Sequence, residues 1–217
     1  MDDPGAAVSA ADGAHSELRT RLRHGVAEHR QLIDDLQSGL ALEAAARAAA
    51  AAIKSVRAGG KLILFGNGGS AADATHLAAE LLGRFMVDRR PLAALALADN
   101  HSAITAIAND YAFDDVFARQ VEGLGRPGDA AFGLSTSGAS RNVAAGLRTA
   151  RSLGIATVAM TGADPGIVGA AADIVIAIPS RQTPRIQEGH MLLGHTICEA
   201  VEHAVLGAEA SDLAIGA

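Results

Sequence analysis

Apolar positions along the chain follow two different periods. From His15 to Gln37 they recur at helical spacing, with Leu18, Leu22, Val26, Ile33 and Leu36 on one face. His24 and His29 fall in the charged part of that helix and read as solvated. A second helix, Leu40 to Val56, is built largely of alanine; its segment 49–53 is apolar all round, which implies burial on more than one side. Arg57-Ala58-Gly59-Gly60 supplies the expected glycine stop. Residues 15–56 therefore read as helices that pack on the domain and serve in oligomerisation. Residues 1–14 and 208–217 read as flexible tails.

Beyond Gly60 the pattern changes to short apolar runs separated by helices. Strands are expected at Leu62–Phe65, Leu92–Ala98, Ala130–Ser135, Ala156–Thr161 and Ile174–Ile178. Helices are expected at Ala71–Met86, Ser102–Ala108, Asp114–Glu122, Ser140–Leu153, Pro165–Ala171 and Pro184–Leu206. Nearly continuous apolar strands alternating with helices predict a parallel sheet covered on both faces, with ligands at the carboxyl ends of the strands. No repeat or linker divides residues 40–207, so 57–207 reads as one α/β domain.

Composition narrows the class. Of 217 residues, 49% are hydrophobic but only 3% aromatic, so the core has to be made of Ala, Val, Leu and Ile. A net charge of -6 without a long basic stretch argues against nucleic acid as a partner. The single cysteine, Cys198, excludes an internal disulfide and fits a reducing compartment. No run is apolar enough to cross a bilayer, and Met1-Asp2-Asp3-Pro4 is acidic where a signal peptide is basic. A soluble, cytoplasmic protein is expected.

The candidate chemistry begins at residues 61–80, KLILFGNGGSAADATHLAAE. A strand runs into Gly66-Asn67-Gly68-Gly69, whose glycines allow close approach of a ligand; Ser70 reads as the N-cap of the next helix, where an anion is favoured. His76 and Glu80 project from one face of that helix. A second loop, Ser135-Thr136-Ser137-Gly138-Ala139-Ser140, has more hydroxyls than a helix cap needs and reads as a phosphate cradle. It lacks the GKS/T ending of a nucleotide loop. In the last helix Gln187 and His195 are about 80° apart and Glu188 shares the His195 stripe more closely, so spacing leaves Gln187 and Glu188 both open. His190 reads as structural and His203 as surface. His76, Glu80 and His195 suit a borderline metal such as zinc; the alternative is metal-free acid/base chemistry by Glu80 and His195. Asn109-Asp110 reads either as a cap and turn or as a pair that bonds sugar hydroxyls.

Taken together, Gly66-Asn67-Gly68-Gly69-Ser70, His76 to Glu80, Ala108-Asn109-Asp110, Ser135 to Ser140, and Arg185-Ile186-Gln187-Glu188 with His195 resemble the phosphoheptose isomerases of the sugar isomerase (SIS) fold, over about residues 20–207. The resemblance implies a flavodoxin-like three-layer sandwich with a five-stranded parallel sheet, assembled as a homotetramer with interfacial active sites. It implies conversion of sedoheptulose 7-phosphate to D-glycero-D-manno-heptose 7-phosphate, with Glu80 and His195 catalytic and one zinc held by His76, Glu80, Gln187 and His195. Substrate contacts are implied for Asn67, Gly68, Gly69, Ser70, Glu80, Asn109, Asp110, Ser135, Thr136, Ser137, Ser140 and Gln187. Pro184 stands where some relatives carry a polar residue. The alternatives are an isomerase or sensor for another sugar phosphate, or a non-catalytic binding module of the DnaA initiator-associating type, which lacks the Glu80 and His195 combination.

Overall fold

The computed structural model describes residues 4–37 and 39–215, with side chains from 15 to 37 and from 39 to 207. Five strands, β1 (Leu62–Gly66), β2 (Ala94–Ala96), β3 (Ala130–Ser135), β4 (Ala156–Thr161) and β5 (Ile174–Ala177), form one parallel sheet in the order β2-β1-β3-β4-β5. β1 pairs Leu62 with both Ala94 and Ala130, and β3 pairs Ser135 with Thr161. This is the flavodoxin-like α/β sandwich.

Side chains alternate along each strand, so the sheet carries two cores. Leu62, Leu64, Phe132 and Met160 pack with alanines of α2 (Leu40–Arg57), with α3 (Gly69–Leu82) and with α8 (Thr183–Ile215). Ile63, Phe65, Ala131 and Ala159 pack with α5 (Val116–Leu124), α6 (Arg141–Ser152) and α7 (Gly166–Ala170) on the other side. The few aromatics are concentrated: Phe65 and Phe117 meet with ring centroids 5.2 Å apart. At the amino ends of the strands, buried Asp129 accepts from Lys61 Nζ at 2.6 Å, Lys61 N at 3.0 Å and Arg126 N at 2.8 Å, joining the entries of β1 and β3.

Three elements depart from the expected boundaries. The first helix, α1 (Pro4–Gln37), and the last, α8, extend into the segments read as tails; both extensions are alanine-rich, and helix propensity carries them on. Residues 1–3, 216 and 217 of those tails lie outside the described residues. β2 keeps only the middle of its apolar run, because this edge strand has a partner on one side alone and Leu97–Asp99 coils into a 3-10 turn. α3 ends at Leu82 rather than Met86. There the Arg89 guanidinium donates to the carbonyls of Glu80 (2.9 Å), Leu81 (3.0 Å) and Gly83 (3.2 Å), placing a cation on the negative end of the helix dipole.

Among its described side chains, from 15 to 37, α1 buries its apolar face near its end. Leu32 and Leu36 are in the core, whereas Leu18, Leu22 and Val26 are 60%, 70% and 71% exposed. His29 is not merely solvated: its Nδ1 lies 2.6 Å from Glu188 Oε2, and Glu188 also pairs with Arg185. Arg185 in turn donates to the Gly25 carbonyl, so these side chains joint α1 to α8.

Candidate active site

In this strand order β1 turns outward to β2 while β3 leads the other way to β4, and a crevice opens between their carboxyl ends. The two loops that leave those ends are the two Ser- and Gly-rich segments. Asn67 and Asn142 close the crevice with reciprocal amide bonds of 2.8 and 2.9 Å. Asn142 is buried, and its Oδ1 also accepts from the Val143 amide at 2.9 Å. Asn142 carries no signal in the sequence, because one asparagine in the first turn of a helix resembles an ordinary cap.

Ser70 does not cap α3. The helix starts two residues earlier than expected, at Gly69, with Gly68 in the N-cap position at φ 57°, and Ser70 is buried in the first turn, 4% exposed. In the other loop, buried Ser135 and partly exposed Ser140 share a hydroxyl–hydroxyl bond of 2.8 Å. Ser137 is exposed and its Oγ accepts from the Ala139 amide at 3.2 Å. Gly138 makes the bend between them, with φ 67° and its carbonyl accepting from Val168 N at 3.0 Å. The Ser135 and Ser140 hydroxyls thus meet beside the N-terminus of α6, a setting that favours an anion.

Two to three turns along α3, a second chemical group assembles. His76 Nε2 lies 3.0 Å from His195 Nε2 and 3.1 Å from Glu80 Oε1. One donor atom from each of His76, Glu80 and His195 falls within 4.8 Å of the others. Two imidazole nitrogens and a carboxylate oxygen are a donor set that fits zinc. His195 belongs to the same chain as the other two, and the Phe85 ring stacks on it at 5.4 Å and 18°.

The structure separates the two residues that helical spacing left open. Glu188 is engaged with Arg185 and His29, away from the crevice. Gln187 lies against the α3 entry: its Nε2 sits 2.0 Å from where a Cβ on Gly69 would stand, so a side chain there would displace the Gln187 amide. From Gln187 to His195 α8 rises ~12 Å, so the two flank the same stretch of α3, Gln187 beside its entry and His195 beside His76. Between them on α3 sits Asp73, with Oδ2 buried and without a hydrogen-bond partner; burial, opposed by the pull of His76, pushes its carboxyl up to about 6. Asn109 and Asp110 end α4 (His101–Asp110), exposed, and bond one another at 2.8 Å rather than a residue of either loop.

His190 is structural, as read, but with a pH signature. Fully buried, it donates from Nε2 to the Thr161 carbonyl at 3.1 Å, and Nδ1 has no partner. Burial pushes its imidazole down to about 4, against the raising pull of the carbonyl. The unfolded chain binds the proton near 6.5 and the folded chain only near 4, so stability falls as pH drops through that window. This group contributes a loss of at most ~1.4 kcal/mol per pH unit. His190→Gln should flatten that slope in urea unfolding followed from neutral to acid pH.

Residues 26–162 match the SIS domain family. The phosphoheptose isomerase of Paramagnetospirillum magneticum is 47% identical over 187 residues, covering 86% of this chain and 96% of that protein. That of Aquifex aeolicus is 54% identical over 147 residues, covering 68% and 77%. Among solved structures, the phosphoheptose isomerase of Neisseria gonorrhoeae superposes with a TM-score of 0.80 at 40% identity, covering 86% of this chain and 99% of that one. The Francisella tularensis phosphoheptose isomerase gives 0.81 at 32% identity, covering 85% and 97%. The chain belongs to the SIS-domain family and, within it, to the phosphoheptose isomerases.

Proposed function

We propose that this sugar-phosphate isomerase interconverts sedoheptulose 7-phosphate and D-glycero-D-manno-heptose 7-phosphate through an enediol. The observation that carries this reading is the convergence of His76, Glu80 and His195 at one end of a site whose other end is a hydroxyl-rich loop. The phosphate binds at Ser135–Ser140, and Asn67-Gly68-Gly69 with Gln187 forms the wall along the sugar. Glu80 takes the proton from C1 of the ketose and returns it to C2, while His195 protonates O2 and accepts the proton of O1. Atoms and electrons balance within the substrate, so no external oxidant enters.

His76, Glu80 and His195 would hold a zinc ion, with Gln187 the further ligand implied by the family; bound there, it would supply Lewis-acid polarisation of a substrate oxygen, and the metal-holding and proton-moving roles of Glu80 and His195 would alternate during turnover. Self-association, as in the homotetramer the resemblance implies, is supported by the exposed row Leu18, Leu22 and Val26. Cytoplasmic residence fits a buried, unpaired Cys198 and the finding that, among the described residues, no helix is long and apolar enough to cross a membrane.

Product formation from sedoheptulose 7-phosphate, with and without a chelator, tests the reading. Turnover that stops on chelation and returns with zinc is expected. Metal-independent turnover would remove zinc and leave the isomerase; no turnover under either condition would overturn the substrate assignment.

A further inference from the structure

Beneath the reacting groups lies an ion pair with almost no solvent contact. The side chains of Arg89 and Glu202 are 0% and 1% exposed, with Arg89 Nε 2.9 Å from Glu202 Oε1. Glu202 also accepts from three consecutive loop amides: Phe85 at 3.1 Å, Met86 at 2.8 Å and Val87 at 3.3 Å. Burial works to raise its pKa, but these amides and Arg89 outweigh it and hold the carboxyl below the usual range. A buried pair of this kind is not by itself a gain in stability, since apolar side chains of similar volume often serve as well. What these two groups hold is more telling. Arg89 Nη2 donates to the main-chain carbonyl of Glu80 at 2.9 Å. Glu202 fixes the backbone of Phe85, whose ring lies on the His195 imidazole.

We propose that the Arg89–Glu202 pair is a positioning element for both members of the reacting pair, Glu80 through its carbonyl and His195 through the Phe85 ring. The proposal rests on the reading of Glu80 and His195 as the reacting groups. It predicts an effect on chemistry without one on phosphate binding, because nothing in the clamp touches Ser135–Ser140.

Three variants of the full-length chain test it, each checked for folding by circular dichroism. Glu202→Gln should lower kcat at least tenfold, leave KM for sedoheptulose 7-phosphate within twofold, and weaken zinc binding by the metal-free protein at least fivefold in a chelator competition. Phe85→Leu, which keeps the ion pair and disturbs only the His195 side, should move the same quantities less, and it stands in if Glu202→Gln does not fold. Asp129→Asn is the comparison, a partly buried ion pair with Lys61 at the far end of the strands whose loss should lower the melting temperature and leave kcat unchanged. Folded Glu202→Gln or Phe85→Leu with normal kcat and normal zinc affinity overturns the proposal, as does an Asp129→Asn protein whose kcat falls alongside its stability. An inactive unmutated chain overturns the isomerase reading instead, and the zinc competition then decides the clamp on its own.

Discussion

Glu80→Gln is expected to lower kcat for sedoheptulose 7-phosphate by about a thousandfold, within the range that removal of a general base produces. The amide has nearly the shape of the carboxylate but cannot accept a carbon-bound proton. KM should remain within about twofold, since the phosphate end of the site is untouched. Steady-state assays with deuterium wash-in at C1 and C2 separate the two steps: the variant should lose exchange as well as product. Near-normal turnover would remove Glu80 from the chemistry, whatever its place beside His76 and His195.

Gly138→Ala should act at the opposite end of the site and on the opposite constant. A Cβ there would lie 2.4 Å from the Asp164 carbonyl oxygen and 2.7 Å from the Pro165 carbonyl, both main chain, at a residue with φ 67°. Neither the clash nor the left-handed backbone can be relieved by turning a side chain. The loop that carries Ser135 to Ser140 must move, at a cost of about 3 kcal/mol or more. Thermal unfolding should shift down, and KM should rise at least tenfold with a smaller change in kcat. A folded variant with normal KM would place the phosphate elsewhere.

Local features of the sequence account for much of the architecture. β1 and its loop are legible because four apolar residues run straight into glycines, and β3 and its loop because hydroxyls crowd a helix start. What escaped depends on partners distant in the chain. Phe85 and Met86 continue the apolar pattern of α3, yet the helix ends before them because Arg89 takes its last carbonyls and Glu202 takes the following amides. His29 lies in a charged stretch, and only the fold brings Glu188 to it. Asn142 is silent until Asn67 is seen opposite. Gln187 and Glu188 cannot be ranked by helical angle, because the choice depends on where Gly69 and Arg185 sit.

α8 meets α1 through Arg185, the α3 entry through Gln187, β4 through His190, the His–Glu group through His195 and the 85–89 loop through Glu202. These contacts are strung along one uninterrupted helix. Inserting or deleting a single residue between Gln187 and Glu202 would turn every later side chain by ~100° and shift it ~1.5 Å. No local loop is available there to absorb the slip. Point substitutions on the outer face of this helix should be tolerated, whereas changes in its length should be confined to the segment after Glu202, so α8 acts as a ruler whose divisions are inherited together.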